Sequence, residues 1–448
     1  RHCLHGFYLE NVIDTRIDDN TVSDGTATGF LLRKYAIRSI VSNNNIIDIG
    51  DEYLGSAFYL VDAHGWQLET NHVLNASFGI QSLNSANNRF IRNDIVDTMT
   101  GIGAWNSRSE VIRHNTIDGS VMGVAAQYSQ IIAVSDNEFN AIGTADLFLL
   151  ACISCSVKDN SMERGVLIWD HEYMPNLSYW THDVTDNTIA EGRVEYLVGE
   201  EDRNIDPRDV GQLILVNCRN LSLSAAIIED SPWGATIAYS EKCTLTDSEF
   251  RNNTLGGVYV SNSQDVVING SVITENGQNA LRFSGGVVLV SSDFSNITRN
   301  LIYHNIGCGI QMNESDDCFV HNNLIANNTG YGICIDGTNN LVYGNAIGWN
   351  DKGNAFCEGS GNTWHWSEMQ LGNWWSDFEG GGAYSIEGPA ESEDQYPQPL
   401  TNFALEVPIS KEEQQDGNLP IEIAVISLVA TLGVVIFALV VLHKKKWI

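Results

Sequence analysis

The stretch NNLIANNTGYGICIDGTNN, residues 322–340, alternates asparagine pairs with runs that contain leucine, isoleucine and glycine. The triplet of asparagine, any residue and an aliphatic residue recurs along most of the chain. It starts at Asn20, Asn45, Asn71, Asn93, Asn115, Asn137, Asn160, Asn187, Asn300, Asn323 and Asn345. Ala226, Ser248 and Ser271 hold the same position in the remaining gap, which gives fourteen turns. A repeat of about 22 residues predicts a solenoid, in which each turn packs on the next.

Each repeat also carries a glycine followed by alternating residues, as in GVYV at Gly257 and GIQM at Gly309. Short alternation with valine, isoleucine and tyrosine predicts strands, and the glycine, asparagine and aspartate between them predict tight turns. No helical period is sustained before residue 420. We therefore predict an all-β parallel β-helix over residues 1–350. At one recurring corner, asparagine would adopt the left-handed backbone and bond to the same amide one coil away.

The composition is acidic, with 56 Asp and Glu against 24 Lys and Arg and a net charge of −32. Nucleic-acid binding requires a basic surface, so nucleic acid is excluded as a partner. Nine cysteines are an odd number, which excludes a complete disulfide framework. We interpret them as buried free thiols, and Cys152-x-x-Cys155 is a weak metal signal without further ligands.

The end of the chain predicts a membrane anchor. Ile423–Leu442 is a run of 20 residues without a charge, and three lysines follow it. We predict a transmembrane helix at 421–442, a cytoplasmic basic tail at 443–448 and a flexible acidic stalk at 388–420. The β-helix would then be extracellular on a single-pass protein of the cell membrane. A buried core helix and a sorting signal cut near Leu419 are the alternatives. The start at Arg1 without a methionine indicates that upstream residues, including any leader, have been removed or omitted.

Eight Asn-x-Ser/Thr sequons fit an extracellular surface and are candidate glycosylation sites, although an asparagine-rich chain also generates them by chance. They are Asn75, Asn176, Asn220, Asn252, Asn269, Asn296, Asn313 and Asn327.

Two segments interrupt the period. The first, WDHEYMPNLSYWTHD at 169–183, is dense in aromatic and polar side chains that could stack on a sugar ring or hold a metal. Its candidate ligand-binding residues are Trp169, Asp170, His171, Tyr173, Trp180 and His182. The alternative is that these side chains only seal the flank of the solenoid. The second segment, residues 191–211, is rich in charges that we interpret as solvated.

Some motifs resemble a family. YWTHDVTDNTI at 179–189, EGRVEYLVGE at 191–200, GQLILVNCRNLSLS at 211–224 and the segment 372–397 resemble right-handed β-helix surface proteins of NosD and carbohydrate-binding and sugar-hydrolase (CASH) type, mostly archaeal. The resemblance implies that the β-helix is right-handed. Many relatives carry a calcium-loop-like stretch where this chain has only EGGG at 379–382, so calcium is unsupported and we expect no cofactor. Residues 351–387 then form a cap whose hydrophobic plug is Trp364, Trp366, Trp374, Trp375 and Phe378.

Together these features favour a membrane-anchored surface adhesion or glycan-binding module, with a polysaccharide or neighbouring surface proteins as partners. The alternatives are a polysaccharide lyase or glycoside hydrolase, a purely structural coat protein, and a NosD-like accessory of metal-site assembly. A β-helix enzyme needs paired carboxylates, or a basic residue beside acidic calcium ligands, at one outward position of successive coils. No such ladder stands out in the sequence, so we assign no catalytic residue and no metal ligand.

Overall fold

The computed structural model describes residues 4–400 except 51–54, 172, 191 and 279–283. Within these residues the chain forms short strands and two 3₁₀ turns, Leu177–Tyr179 and Ser367–Met369, and no α-helix. The strands pair in parallel from coil to coil, with antiparallel pairing only at local reversals. The predicted all-β, right-handed parallel β-helix is confirmed, with about 17 turns.

Each coil contributes strands to three faces, which we name the long, short and asparagine faces. The long face holds His5–Ile13, Thr28–Ile37, Ser56–His64, His72–Leu83, Asp94–Trp105, Met122–Gln127, Ala145–Leu150, Val166–Trp169, Gly192–Val198, Val210–Val216, Trp233–Ala238, Gly256–Ser261, Gly285–Val290, Cys308–Asn313, Tyr331–Ile335 and Gly353–Cys357. The short face holds Arg16–Asp18, Ile40–Ser42, Gln67–Glu69, Arg89–Ile91, Val111–Arg113, Ala133–Ser135, Ser156–Lys158, Asp183–Thr185, Glu201–Ile205, Arg219–Ser224, Thr244–Thr246, Val267–Asn269, Asn296–Thr298, Phe319–His321 and Leu341–Tyr343.

The asparagine face begins with Thr21–Gly25 and Asn45–Ile49 and then uses the first halves of His72–Leu83 and Asp94–Trp105, which continue around the corner onto the long face. It goes on with Thr116–Asp118, Glu138–Asn140, Ser161–Met162, Thr188–Ile189, Ile227–Glu229, Glu249–Arg251, Val272–Thr274, Leu301–Tyr303, Leu324–Ala326, Ala346–Gly348, Trp374–Trp375 and Gln398–Pro399. One antiparallel pair, Tyr384–Ser385 with Glu393–Asp394, lies near the end of the described residues.

The predicted asparagine ladder runs along the corner between the short and asparagine faces. The Asn93 amide donates to Oδ1 of Asn115 at 3.0 Å, and Asn115 donates in the same way to Asn137 at 2.9 Å. Each Oδ1 also accepts the backbone N–H of the preceding asparagine, as from Asn93 at 2.9 Å. These side chains are buried, so the ladder satisfies polar groups that would otherwise lie unpaired inside the solenoid.

Two details of the predicted ladder are wrong. Its second rung is Asn44 and not Asn45, because Asn44 accepts from Asn20 and donates to Asn71. The left-handed backbone lies one residue before the ladder, for example at Arg92 (φ 53°) and not at Asn93. The ladder residue itself is not left-handed, and its amide can reach the carbonyl two residues earlier, as that of Asn137 does to Ser135 at 3.0 Å.

Further ladders occupy other corners and have no counterpart in the sequence analysis. Serine hydroxyls accept backbone N–H groups of the preceding coil, as Ser107 does from Ser85 at 3.2 Å. A second asparagine ladder runs between the asparagine and long faces of the C-terminal coils, where Asn305 donates to Asn328 at 3.0 Å.

The coils form two stacks that meet near residue 190. Val166–Trp169 is the last long-face strand of the first stack, and the Gln212 side chain pairs with the Val166 backbone through bonds of 2.9 and 2.7 Å. Gly192–Val198 runs antiparallel to Thr188–Ile189 and then pairs in parallel with Val210–Val216, which opens the second stack. The sequence predicted two interruptions within the β-helix of residues 1–350 but not its division into two stacks.

The two stacks pack against each other through outward-facing side chains. The Thr254 hydroxyl donates to the Thr144 carbonyl at 2.9 Å, and Arg164 pairs with Asp230 at 3.1 Å. Outer long-face residues of the second stack belong to the hydrophobic cluster of the first; they include Ile214, Trp233, Ala238, Tyr259 and Val288. The outer face of a solenoid is normally solvated, so this burial indicates a fold-back contact.

The C-terminal coils contain the five aromatic residues that were predicted to form a hydrophobic plug. Trp364 and Trp375 are fully buried, while Trp366, Trp374 and Phe378 are half-buried. The coil beyond Trp375 ends the asparagine ladder with the buried Asp394, which accepts from the Asn373 N–H at 2.7 Å. Pairing continues to Gln398–Pro399, inside the segment assigned to the stalk. Aromatic and acidic residues replace the Asn-x-aliphatic triplet in these last coils. This is one reason why the fourteen turns counted from the sequence are fewer than the turns of the structure.

The predicted location as a single-pass membrane protein requires correction. Over the described parts of residues 4–400, no helix is long and apolar enough to cross a membrane. The strands there reach at most 12 residues, and each 3₁₀ turn has three. The segment that was predicted to span, residues 421–442, and the tail at 443–448 lie outside the described residues.

Candidate functional site

The interruption at 169–183 is held together by one carboxylate. Asp170 Oδ1 accepts the backbone N–H groups of His171 at 2.8 Å and Asn176 at 3.0 Å. Its Oδ2 accepts the indole N–H of Trp180 at 3.1 Å and the hydroxyl of Tyr239 at 2.7 Å. Asp170 therefore binds the loop to the second stack through four hydrogen bonds from protein groups.

Trp180 and His182, two other predicted ligand-binding residues, lie inside the protein. Trp180 has no exposed surface, and its ring stacks on Tyr259 with the ring centroids 6.5 Å apart. Burial lowers the pKa of His182 to about 4, so the ring is neutral near pH 7. Its Nδ1 accepts the Cys155 N–H at 3.3 Å, and its Nε2 donates to the Tyr179 carbonyl at 2.9 Å. Both side chains fill the junction between the stacks.

The remaining predicted residues are closer to solvent. Trp169 is half-buried and meets the Phe148 ring edge-on with the centroids 6.4 Å apart. Tyr173 is 80% exposed, and the half-buried His171 lies between it and the exposed Tyr128. Of the six residues, only Tyr173 is exposed, and its ring meets that of the half-buried His171 edge-on without forming a flat platform.

The charges of the second interruption largely pair with each other. Arg193 and Arg203 both pair with Glu195. The Arg208 guanidinium hydrogen-bonds Asp206 and holds the pKa of that exposed carboxyl below its usual range. Within the described residues, no group of three or more histidine, cysteine, aspartate or glutamate side chains is arranged to hold a metal ion.

A groove lies elsewhere, at the corner where the chain passes from the asparagine face to the long face. Asp48, Asn75, Asp97 and Gly119 occupy the same position on four consecutive coils, each with a left-handed backbone (φ 54°, 56°, 53° and 63°). They line a cavity of about 340 Å³ together with Ile49, Gly50, Ala76, Ser77, Thr98 and Met99.

The polar wall of this corner groove is fixed by its neighbours. The Asn75 amide donates to Asp48 Oδ1 at 2.7 Å, while the Asp97 carboxylate is exposed. A Cβ at Gly119 would lie 2.5 Å from Asp97 Oδ1, so glycine keeps that carboxylate uncovered toward the next coil. Met99 connects the groove to a small apolar cluster around Phe78 and Trp105 on the long face.

From the sequence, Asn75 was named only as a glycosylation candidate and Asp48, Asp97 and Gly119 were not named, although the sequence holds a signal for all four. Each one lies four residues after a ladder asparagine, as Asp97 does after Asn93. A polar residue at this offset, repeated on neighbouring coils, marks one outward column. The sequence alone does not indicate that the column borders a cavity, because that depends on the curvature of the corner.

The sequons differ in accessibility. Asn75, Asn176, Asn220 and Asn327 are exposed, whereas Asn252, Asn269, Asn296 and Asn313 are half-buried. Asn75 lines the corner groove, so a glycan on its amide would occupy the groove. Glycosylation at all eight positions stays a prediction.

Comparison with known proteins gives two family matches. Residues 182–380 match the family described as "Periplasmic copper-binding protein (NosD)". Residues 1–117 and 55–190 match the family described as "Right handed beta helix region". The two matches meet at 182–190, where the two stacks join. No curated protein matches this sequence.

Solved structures with a similar course include the A-module of mannuronan C-5 epimerase AlgE6 from Azotobacter vinelandii (15% identity, 75% of this chain, 89% of that chain, TM-score 0.29). A second example is DFA-IIIase from Arthrobacter chlorophenolicus A6 (12% identity, 72% of this chain, 80% of that chain, TM-score 0.30). A third is the periplasmic alginate epimerase AlgG (11% identity, 88% of this chain, 78% of that chain, TM-score 0.27). Structural similarity at such low identity and TM-score carries no information about activity. The comparisons also give no support to the expected archaeal source. The parallel coils and the two family matches together show that the chain is a NosD-like right-handed β-helix protein.

Proposed function

We propose that the protein binds carbohydrate and that the corner groove is the binding site. The observation that carries this proposal is the cavity of about 340 Å³ bordered by Asp48, Asn75 and Asp97. Its volume lies at the lower end of the range for small-molecule sites, about 300–1,000 Å³.

The chemistry of the wall suits a polyhydroxylated ligand. Carboxylates and an amide present hydrogen-bond acceptors and one donor along a column that rises by about 4.8 Å per coil. Hydrogen bonds from hydroxyls to charged acceptors are stronger than those between neutral groups. Because the column belongs to stacked, ladder-bonded coils, the acceptors are preorganised and lose little freedom when a ligand binds.

The charge of the protein narrows the class of sugar. A net charge of −32, with two carboxylates at the groove itself, repels uronic-acid and sulfated polymers. We therefore infer a neutral polysaccharide or one with amino sugars as the ligand.

Affinity electrophoresis of the full chain through gels that contain a neutral glucan or chitosan tests this function. Asp48→Gly and Asp97→Gly remove the carboxylates while keeping a residue that tolerates the left-handed backbone. Loss of a hydrogen bond to a charged group predicts about a 10- to 100-fold weaker retention for each.

Asp247→Gly is the matched control. Asp247 is also exposed, left-handed (φ 47°) and next to a glycine of the following coil, Gly270, but it lies outside the groove. The proposal is supported if the gel retains Asp247→Gly as strongly as the parent protein and retains the Asp48→Gly and Asp97→Gly variants more weakly. No retention by any of these polymers, or equal retention of all variants, contradicts it. New reducing or unsaturated ends in the retained polymer would assign an enzyme in place of a binding protein.

A further inference from the structure

Asp146 is a fully buried carboxyl at the contact between the two stacks. It lies in the long-face strand Ala145–Leu150 of the first stack and has no exposed surface. Its Oδ2 accepts the backbone N–H groups of Arg164 and Gly165, both at 2.5 Å. Its Oδ1 has no hydrogen-bond partner among the described residues. One oxygen of this carboxyl therefore holds the turn at 164–165, and the other is buried without compensation.

Direct bonds between the stacks are made next to Asp146. Thr144, two residues before it, accepts the Thr254 hydroxyl of the second stack at 2.9 Å. Arg164, whose N–H donates to Asp146, also pairs through its guanidinium with Asp230 of the second stack at 3.1 Å. The carboxyl thus lies among the bonds that keep the two stacks together.

The turn that Asp146 holds packs directly on the second stack. Gly165 has a left-handed backbone (φ 91°), and a Cβ at this position would lie 2.6 Å from Oε1 of Gln212. The N–H of Val166, the next residue, donates to the same Oε1 at 2.9 Å. A change in the charge of Asp146 is therefore only one or two residues of chain away from a bond between the stacks.

The surroundings of Asp146 disfavour its ionised form. Burial raises the pKa of Asp146 from 3.8 to about 7, against the effect of the two N–H donors, and the Glu163 carboxylate adds to the rise. Arg164 and Asp230, the charged pair at this contact, largely offset each other. When the junction opens, the carboxyl is hydrated and ionises near its ordinary value, so the closed junction holds the proton more tightly than the open one.

We propose that Asp146 is a pH-dependent latch between the two stacks: the protonated carboxyl keeps the junction closed, and loss of its proton to solvent favours opening at residues 164–166. The junction is then tightest in acid, opens more easily as the pH rises from about 4 to about 7, and changes little above about 8. The latch does not involve the corner groove and is independent of carbohydrate binding.

Hydrogen–deuterium exchange of the full chain tests the latch at the Val166 amide, with rates corrected for intrinsic exchange at each pH. A Glu110→Gln background is used, because Glu110 is a second buried carboxyl with a raised pKa. We expect the protection of Val166 to be about 100-fold lower at pH 8 than at pH 5, since opening gains about tenfold per pH unit below 7. In the same background, Asp146→Asn keeps an oxygen that accepts the N–H bonds but cannot ionise. It should give equal protection at the two pH values.

Thr254→Val is the matched control, because it removes a neutral bond between the stacks and no charge. It should lower the protection of Val166 by the same factor at both pH values. The Asn115 N–H, which donates to Asn137 inside the first stack, reports unfolding of that stack and should be better protected than Val166 at pH 8.

Three results would overturn the proposal. The first is protection of Val166 that does not fall with pH while Asp146 is present. The second is an equal fall in the Asp146→Asn variant, because another group would then be responsible. The third is equal protection of Val166 and Asn115 at pH 8, because the stacks would then separate only on complete unfolding.

Discussion

At the scale of single residues, the ladder asparagine is suited to its corner because one side chain serves three neighbours. Asn115 accepts the backbone N–H and the amide of Asn93, and its own amide donates to Asn137 and to the Phe90 carbonyl at 2.9 Å. Serine or alanine can hold the position but cannot make all of these bonds. This explains why the triplet was readable in the sequence as a structural signal.

Replacement of Asn115 should therefore be costly. Asn115→Ala leaves the buried N–H and amide of Asn93 without their acceptor, and we expect a loss of about 3 kcal/mol in the free energy of unfolding. Gln130→Ala, at an exposed position, is the control and should change stability by less than about 0.5 kcal/mol. Urea unfolding of both variants checks the prediction, and equal midpoints would show that the ladder contributes little.

A second residue-scale prediction concerns Glu110, which is fully buried in the first stack. Its Oε1 accepts from the Asn88 amide at 3.0 Å, while its Oε2 has no partner. Burial raises the pKa of Glu110 from 4.5 to about 8. Between pH 4.5 and pH 8 the folded protein thus keeps a proton on Glu110 that the unfolded chain has lost. The stability that the protonated Glu110 contributes is therefore fully present below pH 4.5 and is lost as the pH rises toward 8.

Glu110→Gln isolates this effect, because glutamine resembles the protonated acid and does not titrate. Between pH 5 and pH 8 the parent should lose about 3 kcal/mol more stability than the variant. Denaturant midpoints at the two pH values give the difference. Parallel pH profiles would mean that Glu110 is ionised in the folded protein.

At the scale of elements, the interruption at 169–183 is a wedge between the stacks. Trp180 and Asp170 contact Tyr259 and Tyr239 of the second stack, which is separated from them by more than two coils of chain. An aromatic residue in a polar loop has the same sequence signature whether it faces solvent or a distant surface. The sequence could therefore locate the interruption but could not assign its side chains to the interior.

Trp180→Ala tests this role. Removal of a fully buried tryptophan should cost about 4 kcal/mol and loosen the junction, so that calorimetry resolves two transitions where the parent shows one. Tyr173→Ala, in the same loop but 80% exposed, should unfold like the parent. If Trp180→Ala were as stable as the parent, the ring would be free of the interior and available to a ligand.

At the scale of the whole molecule, the sequence predicted the periodic part of the architecture and located its two interruptions, but it did not show that the coils fold back as two stacks. The Asn-x-aliphatic triplet gave the coil length and the parallel pairing, because each coil obeys the same local rules. The fold-back of the stacks depends on outer residues such as Tyr259 and Val288, which have no repeat pattern. The corner groove likewise arises from the shape of four coils together, so single residues such as Asp97 did not reveal it.

Hydrogen–deuterium exchange of the full chain, with and without the retained saccharide, is the sharpest test of carbohydrate binding at the corner groove. If the saccharide binds in the corner groove, exchange will slow at 48–50, 75–77 and 97–99, three segments that are distant in sequence and adjacent at the groove. Slower exchange confined to 170–182, with no change at those three segments, would contradict it and would place the ligand at the junction of the two stacks.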